Sequence, residues 1–263
     1  MTELEATLVA LIDALAAGDP RSRRFGATTH HWQRRPALAE DRVAAIEAQA
    51  GVALPDDYRG YVIAVGDGGA GPYHGILPLD HPAQPALLRG GPCPLPATPA
   101  VVQIDPWRGV LAISDLGCNQ TALLVVDGPA RGQVWADARS LDAGVVPMAA
   151  SFTDFLGGGL AAMARGELPP AFAPAGACVI PRLLSALLAR EEERLGRAPG
   201  SLAGAELRAA LAQLGPGAIA IASTGSPIHA PGDPIAPCVQ CAVLIDNLTT
   251  SGLDPDVLVR PLR

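Results

Sequence analysis

The stretch GVLAISDLGCNQTALLVVDGPARGQVW (residues 109–135) decides the fold class of this chain. Its apolar runs 110–114, 121–126 and 133–135 are short and are predicted to be strands. The turn residues Asp127-Gly128-Pro129 separate the second run from the third. Because strands that follow one another through short turns pair antiparallel, we predict an antiparallel meander in the middle of the chain.

Helical patterns flank this region. Apolar residues recur with the helical period over 3–17 and again over 38–50. Pro55-Asp56-Asp57 is typical of the first turn of a third helix, because proline suits that position and acidic side chains favour the positive helix end. Ser151 begins a capping-box pattern before a further helix. Helices around an antiparallel or mixed sheet predict an α+β domain.

The pattern changes after the linker-like segment ELPPAFAPAGA (residues 167–177). Beyond it we predict helices at 181–195, from Ser201 to about 214, and at 237–248, with an apolar strand at 218–222. This order predicts a smaller α/β domain. The predicted organisation is an N-terminal helix and arm (1–37), an α+β domain (38–166), a linker (167–177) and the α/β domain (178–263).

Composition limits the functional classes. The 263 residues are 49% hydrophobic, enough for a sizeable core, and the formal net charge is −7. A negative net charge argues against a nucleic-acid partner, because proteins that bind nucleic acids are usually basic. It permits a basic protein partner. The acidic N-terminus and the lack of a long apolar run predict neither a signal peptide nor a membrane segment. Five scattered cysteines predict a reducing, cytoplasmic location. For two of them, Cys93 and Cys118, the sequence predicts no functional role.

Residues 38–166 resemble the SUKH superfamily. The resemblance rests on the following residues: Ile46 and Glu47, Leu54-Pro55-Asp56-Asp57-Tyr58, Gly68-Gly69, Ile113-Ser114-Asp115, Gly117, Gly128-Pro129, Gly132-Gln133-Val134-Trp135, and Phe152 with Phe155. It implies an α+β fold and a non-catalytic binding module. Bacterial members are commonly immunity proteins that neutralise a partner toxin, and fungal members are scaffolds. The expected partner is therefore a protein, with a basic toxin as one candidate.

Candidate partner-binding residues lie mainly near the glycine- and proline-rich loop after the third helix. They are Asp67, Tyr73, His74, Asp80, Trp107 and Asp115. Their carboxylates would suit a basic target, although acidic residues can equally be solvated surface and Trp107 a core anchor. This part of the sequence shows no nucleophile–base pair, so no catalytic site is predicted in it.

The motif Pro237-Cys238-Val239-Gln240-Cys241 opens the last predicted helix. Thiolates at the positive end of a helix have a lowered pKa and favour zinc. The leading prediction is that the chain holds no cofactor, and zinc is the alternative that this motif offers.

Together with the upstream Gly204-Ala205-Glu206, this motif resembles the cytidine-deaminase-like superfamily, in particular the bacterial toxin-type deaminases. The resemblance implies Cys238 and Cys241 as zinc ligands and Glu206 as the proton shuttle. The third ligand position is Gly204, which has no side chain, so His229 or Cys178 would have to substitute. The leading prediction is a non-catalytic immunity or adaptor protein with a degenerate deaminase-like domain. The alternative is a zinc-dependent nucleobase or nucleotide deaminase with a SUKH-like accessory domain. A different α/β extension, in which the cysteine pair is incidental or structural, also stays open.

Overall fold

The computed structural model describes residues 2–172, 178–212, 223, 225–233 and 235–250, and it has a mixed α+β architecture. One antiparallel sheet contains, in chain order, β1 (Val110–Gly117), β2 (Gln120–Val125), β3 (Val134–Asp137) and β4 (Val145–Ala149). The predicted three-stranded meander is confirmed. The sequence did not predict β4 because Pro147 interrupts its apolar run, and proline is tolerated there because β4 lies at the edge of the sheet.

The predicted helices are also present among the described residues. The helices of the described residues are, in chain order, α1 (Glu3–Gly18), α2 (Ala27–His30), α3 (Glu40–Ala50), α4 (Asp56–Ala64), α5 (Gln84–Leu88), α6 (Phe152–Ala164), α7 (Val179–Arg194), α8 (Gly204–Ala212) and α9 (Val239–Thr250). The short helices α2 and α5 were not predicted. Ser151 caps α6 as expected, since its Oγ accepts a hydrogen bond from the Asp154 N–H at 3.0 Å. The predicted strand at 218–222 lies outside the described residues.

Both faces of the sheet are covered. Helices α1, α4 and α6 pack against one face, where Ile12, Tyr58 and Phe152 are fully buried beside Leu111. The proline-rich segment that precedes β1 covers the opposite face, with side chains such as Leu95 packed beside Trp135. Strands that are buried on both faces have continuous apolar sequences. This explains why apolar and polar residues do not alternate strictly along these strands.

A second, smaller core lies in the C-terminal part. Helices α7, α8 and α9 surround it, and its fully or nearly buried members include four of the five cysteines. The cluster also takes in Leu141 from the sheet region, so it joins the C-terminal helices to the sheet. Within the ranges that the structure describes, no helix has the length and apolar character to cross a lipid bilayer.

His30 is a buried titratable group at the end of α2, with its ring against Trp32 at a centroid distance of 5.1 Å. Burial lowers the pKa of His30 to about 4. The unfolded chain takes up this proton near its ordinary pKa of about 6.5, so the contribution of neutral His30 is complete above that pH and is lost as the pH falls toward 4.

We expect the free energy of unfolding to fall by up to about 1.4 kcal/mol per pH unit in that window because of His30. Denaturant titrations at several pH values will measure the slope, which should be shallower in His30→Asn. The exposed neighbour His31 supplies the control His31→Asn, which should keep the wild-type slope. Equal slopes in wild type and His30→Asn would contradict the assignment.

Candidate metal centre

The tip of the β1–β2 hairpin carries the first cysteine of the site. Gly117 pairs with Gln120, and the two residues between them, Cys118 and Asn119, have φ angles of 52° and 63°. Two successive positive φ angles define the tight turn that matches the twist of a hairpin, and glycine or asparagine is the usual occupant. A cysteine in this conformation costs about 1 kcal/mol or more, so its presence points to a role for the thiol.

The hairpin tip lies directly against the segment before α9. The Cys118 N–H donates to the Ala236 carbonyl at 2.8 Å, and the Cys238 N–H approaches Cys118 Sγ at 3.3 Å. Gly117 allows this approach, because a Cβ there would lie 2.5 Å from the Pro237 carbonyl oxygen. The backbone contact therefore fixes Cys118 beside Cys238.

Two helix starts bring the other thiols to the same point. Cys178 is the residue before α7, Cys238 is the residue before α9, and Cys241 lies in the first turn of α9. The Sγ atoms of Cys178 and Cys238 are 3.2 Å apart, and those of Cys118 and Cys241 are 3.6 Å apart. All four Sγ atoms lie within 4.8 Å of one another, and each residue is at most 4% exposed.

This geometry can hold a metal ion. Four sulfurs at the corners of a tetrahedron around a zinc ion, with Zn–S bonds of about 2.3 Å, would be about 3.8 Å apart. The observed spacing brackets that value, and the five cysteines are all free thiols. Sulfur is the only donor type in the group, which suits a soft metal.

Hydrogen bonds among the four thiols change the pKa of each of them. Hydrogen bonding among them, that of Cys118 first, lowers the pKa of Cys238, whereas hydrogen bonding within the same cluster raises the pKa of Cys118 and of Cys241. The pKa of Cys178 is lowered in the same way, so hydrogen bonding favours negative charge on Cys178 and Cys238 and disfavours it on Cys118 and Cys241. A divalent cation would replace the shared protons and permit four thiolates.

His229 and Glu206 were predicted for a catalytic zinc site, but they pair with other side chains and do not belong to the cysteine cluster. His229 Nε2 is 3.3 Å from Asp115 Oδ2, and this contact raises the pKa of His229. Glu206 forms an ion pair with Arg197 at 2.6 Å, and its side chain is 57% exposed. Of the two candidate substitutes for the third ligand, Cys178 lies in the cluster with Cys238 and Cys241, together with Cys118, and His229 does not.

Most of the predicted partner-binding residues have internal contacts. Asp67 is 2% exposed, burial raises its pKa, and its Oδ1 accepts from the Leu79 N–H at 2.7 Å. Tyr73 is 3% exposed and its hydroxyl donates to the Pro170 carbonyl. These two residues are part of the interior, so their predicted role as surface contacts is corrected to a structural one.

The other four partner-binding candidates are more accessible. Asp80 is exposed and pairs with Arg35 at 3.2 Å. Half-buried Trp107 donates from Nε1 to Asp137 at 2.7 Å. His74 and Asp115 are half-buried and hold the C-terminal part, His74 through the Pro237 carbonyl at 3.0 Å and Asp115 through His229. Asp80 is the member of the set that remains best placed to meet a partner.

The sequence pointed to two of the four clustered cysteines. It gave Cys178 only as an alternative and gave Cys118 no role. A usable signal for Cys118 was its place between a glycine and an asparagine, where a tight turn puts the thiol at the tip of a hairpin.

The comparisons with protein-family models, curated proteins and solved structures find no match to this chain.

Proposed function

We propose that this chain is a non-catalytic binding protein whose C-terminal helices are fastened to the sheet by a structural zinc centre. The observation that carries the proposal is the closed group of four buried cysteines. Structural zinc sites use four protein ligands, whereas catalytic sites keep one position open for water or substrate. Four thiolates from Cys118, Cys178, Cys238 and Cys241 would fill all four positions.

A bound metal ion would stabilise the second core. It is small and is built from three helices around the thiols. A core of this size is in the range where small folds depend on a metal or on disulfides. A zinc ion bound to Cys118 on the hairpin and to three thiols at helix starts would link the two parts of the chain.

The same observations weigh against the deaminase alternative. Gly204 supplies no ligand, and Glu206 is held in an exposed ion pair with Arg197. A zinc ion surrounded by four thiolates has no site for the water that a deaminase activates. We therefore favour a binding function over deamination.

The proposed partner is a basic protein, with a bacterial toxin as the leading class. The net charge of −7 and the SUKH-like residue pattern support this choice. Four reduced thiols holding zinc would require a reducing compartment, which is why we place the protein in the cytoplasm.

The test is a neutralisation assay. We expect the gene beside this one to encode a basic protein whose toxicity in the host is suppressed by this chain, and the two proteins to copurify as a salt-sensitive complex. Glu206→Gln should neutralise as well as wild type. The proposal would be overturned if no specific partner were found and the purified protein deaminated a nucleobase or nucleotide in a way that Glu206→Gln abolished.

A further inference from the structure

A cleft lies between α3 and the segment that contains α5. Helix α3 contributes Ile46 and Ala50 to its lining, and the α5 segment contributes Leu79 and Leu88. The space inside the cleft that a water-sized molecule can enter is about 120 Å³. One water molecule needs roughly 10–15 Å³ of such space, so the cleft has room for an apolar group of several heavy atoms, such as a phenyl ring.

Buried hydrogen bonds hold the α5 side of the cleft in place. Gln84 is 1% exposed, its Nε2 donates to the Ala112 carbonyl on β1 at 2.8 Å, and its Oε1 accepts from the Ala112 N–H at 3.1 Å. The Leu79 N–H donates to Asp67 Oδ1 at 2.7 Å. These contacts tie the α5 segment to the core, so the cleft is formed before a ligand binds. Sites for small molecules are usually preformed in this way.

Two arginines line the cleft without an acidic partner. They are Arg42 on α3 and Arg89 directly after α5, and both are exposed. Arg89 Nε donates to the Pro85 carbonyl at 2.9 Å, which orients the side chain and leaves its two terminal nitrogens to bind a ligand. Within the part of the chain that the structure describes, neither guanidinium group forms an ion pair.

The lining carries an excess of positive charge. Asp80 is the one acidic residue among the described residues of the lining, and it already pairs with Arg35 at 3.2 Å. This local excess contrasts with the formal net charge of −7 for the whole chain. A guanidinium group binds a carboxylate through charge-assisted hydrogen bonds, often two at once. The lining therefore suits a ligand that combines an apolar group with a carboxylate.

We propose that this cleft binds a small free organic acid. Its apolar group would pack on Ile46 and Leu88, and its carboxylate would accept hydrogen bonds from Arg42 and Arg89. The lining shares no residue with the four-cysteine cluster, so the inference goes beyond the proposed function and does not depend on bound zinc.

The experiment is an NMR titration of the full-length protein with phenylacetate. The comparison ligands are 2-phenylethanol, which has no carboxylate, and acetate, which has no ring. We expect phenylacetate to bind at least about tenfold more tightly than either, because each lacks one half of the interaction. Its affinity should fall as salt is added, since exposed charges are screened.

Three results of this titration would overturn the proposal. Equal affinity for phenylacetate and 2-phenylethanol would show that the arginines do not bind the carboxylate. No binding of phenylacetate would show that the cleft takes no free acid of this kind. Binding of the blocked dipeptide acetyl-Phe-Glu-amide without binding of phenylacetate would make the cleft a docking site for a protein segment instead.

Matched variants locate the site. Arg42→Gln and Arg89→Gln should each weaken phenylacetate binding about fivefold, whereas Arg21→Gln, at an exposed arginine outside the lining, should not. Ala50→Leu should fill the cleft and abolish binding. Ala48→Leu places the same side chain on the exposed side of α3, outside the lining, and should bind as wild type does. Equal affinity in Ala50→Leu and Ala48→Leu would place the ligand elsewhere and contradict the proposal.

Discussion

Cys118→Ser is expected to release zinc and to unfold the C-terminal helices, although residue 118 belongs to the sheet domain. Cys118 is the only member of the four-cysteine cluster that comes from the hairpin. Serine is a poor ligand for zinc, so three thiolates would remain around an incomplete site. Loss of a structural metal belongs to the largest class of single-residue effects, above about 4 kcal/mol. Metal analysis and limited proteolysis of residues 178–250 will measure both consequences.

Cys93→Ser is the matched control for this experiment. Cys93 is also buried, at 1% exposure, but it packs on the face of the sheet away from the cluster. We expect the control to keep one zinc per chain and to lose only about 1–2 kcal/mol of unfolding free energy. A Cys118→Ser protein that still bound one zinc per chain would show that the hairpin thiol is not a ligand.

Gly117→Ala is expected to have the second largest effect. The added methyl group would lie 2.5 Å from the backbone of Pro237 and Cys238, and backbone atoms cannot turn aside as a flexible side chain can. The hairpin and the start of α9 would have to separate, which would move Cys118 away from Cys238. We expect zinc affinity to fall by on the order of a hundredfold, because about 3 kcal/mol of clash would oppose the closed site. Competition with a chelator will give the affinity.

Gly132→Ala separates this clash from simple backbone strain. Gly132 has a φ of +86°, close to the +82° of Gly117, but a Cβ on Gly132 would meet nothing within 4 Å. The control should lose about 1–2 kcal/mol of stability through its backbone conformation alone and should bind zinc as tightly as wild type. Equal zinc affinity in Gly117→Ala and Gly132→Ala would contradict the proposed contact between the hairpin and α9.

Local patterns were sufficient to predict most of the fold. The period of the apolar residues in α1 and the Ser151 cap of α6 are short-range signals, and the structure contains both elements. The strand β4 was harder, because its place in the sheet comes from pairing with β3 and not from its own sequence. The proline-rich cover on the second face also depends on long-range packing, which no local pattern reports.

The candidate site was predicted only in part for a related reason. Cys238 and Cys241 are three residues apart at a predicted helix start, and this local pattern suggested them as ligands of one metal ion. Cys118 and Cys178 reach the same point through a hairpin turn and a helix start that are far apart in sequence. Their convergence required the contact of Gly117 with Pro237, which exists only in the folded chain. His229 lies close to the motif in sequence, but it is bound to Asp115 instead.

Zinc-edge X-ray absorption spectroscopy on protein purified without added metal is the most direct test of the central claim. The account predicts one zinc per chain, surrounded by four sulfur atoms at about 2.3 Å with no nitrogen or oxygen ligand. Absence of zinc would contradict the account. Zinc bound by two sulfurs together with nitrogen or oxygen would also contradict it, and would restore an open site of the kind that deamination requires.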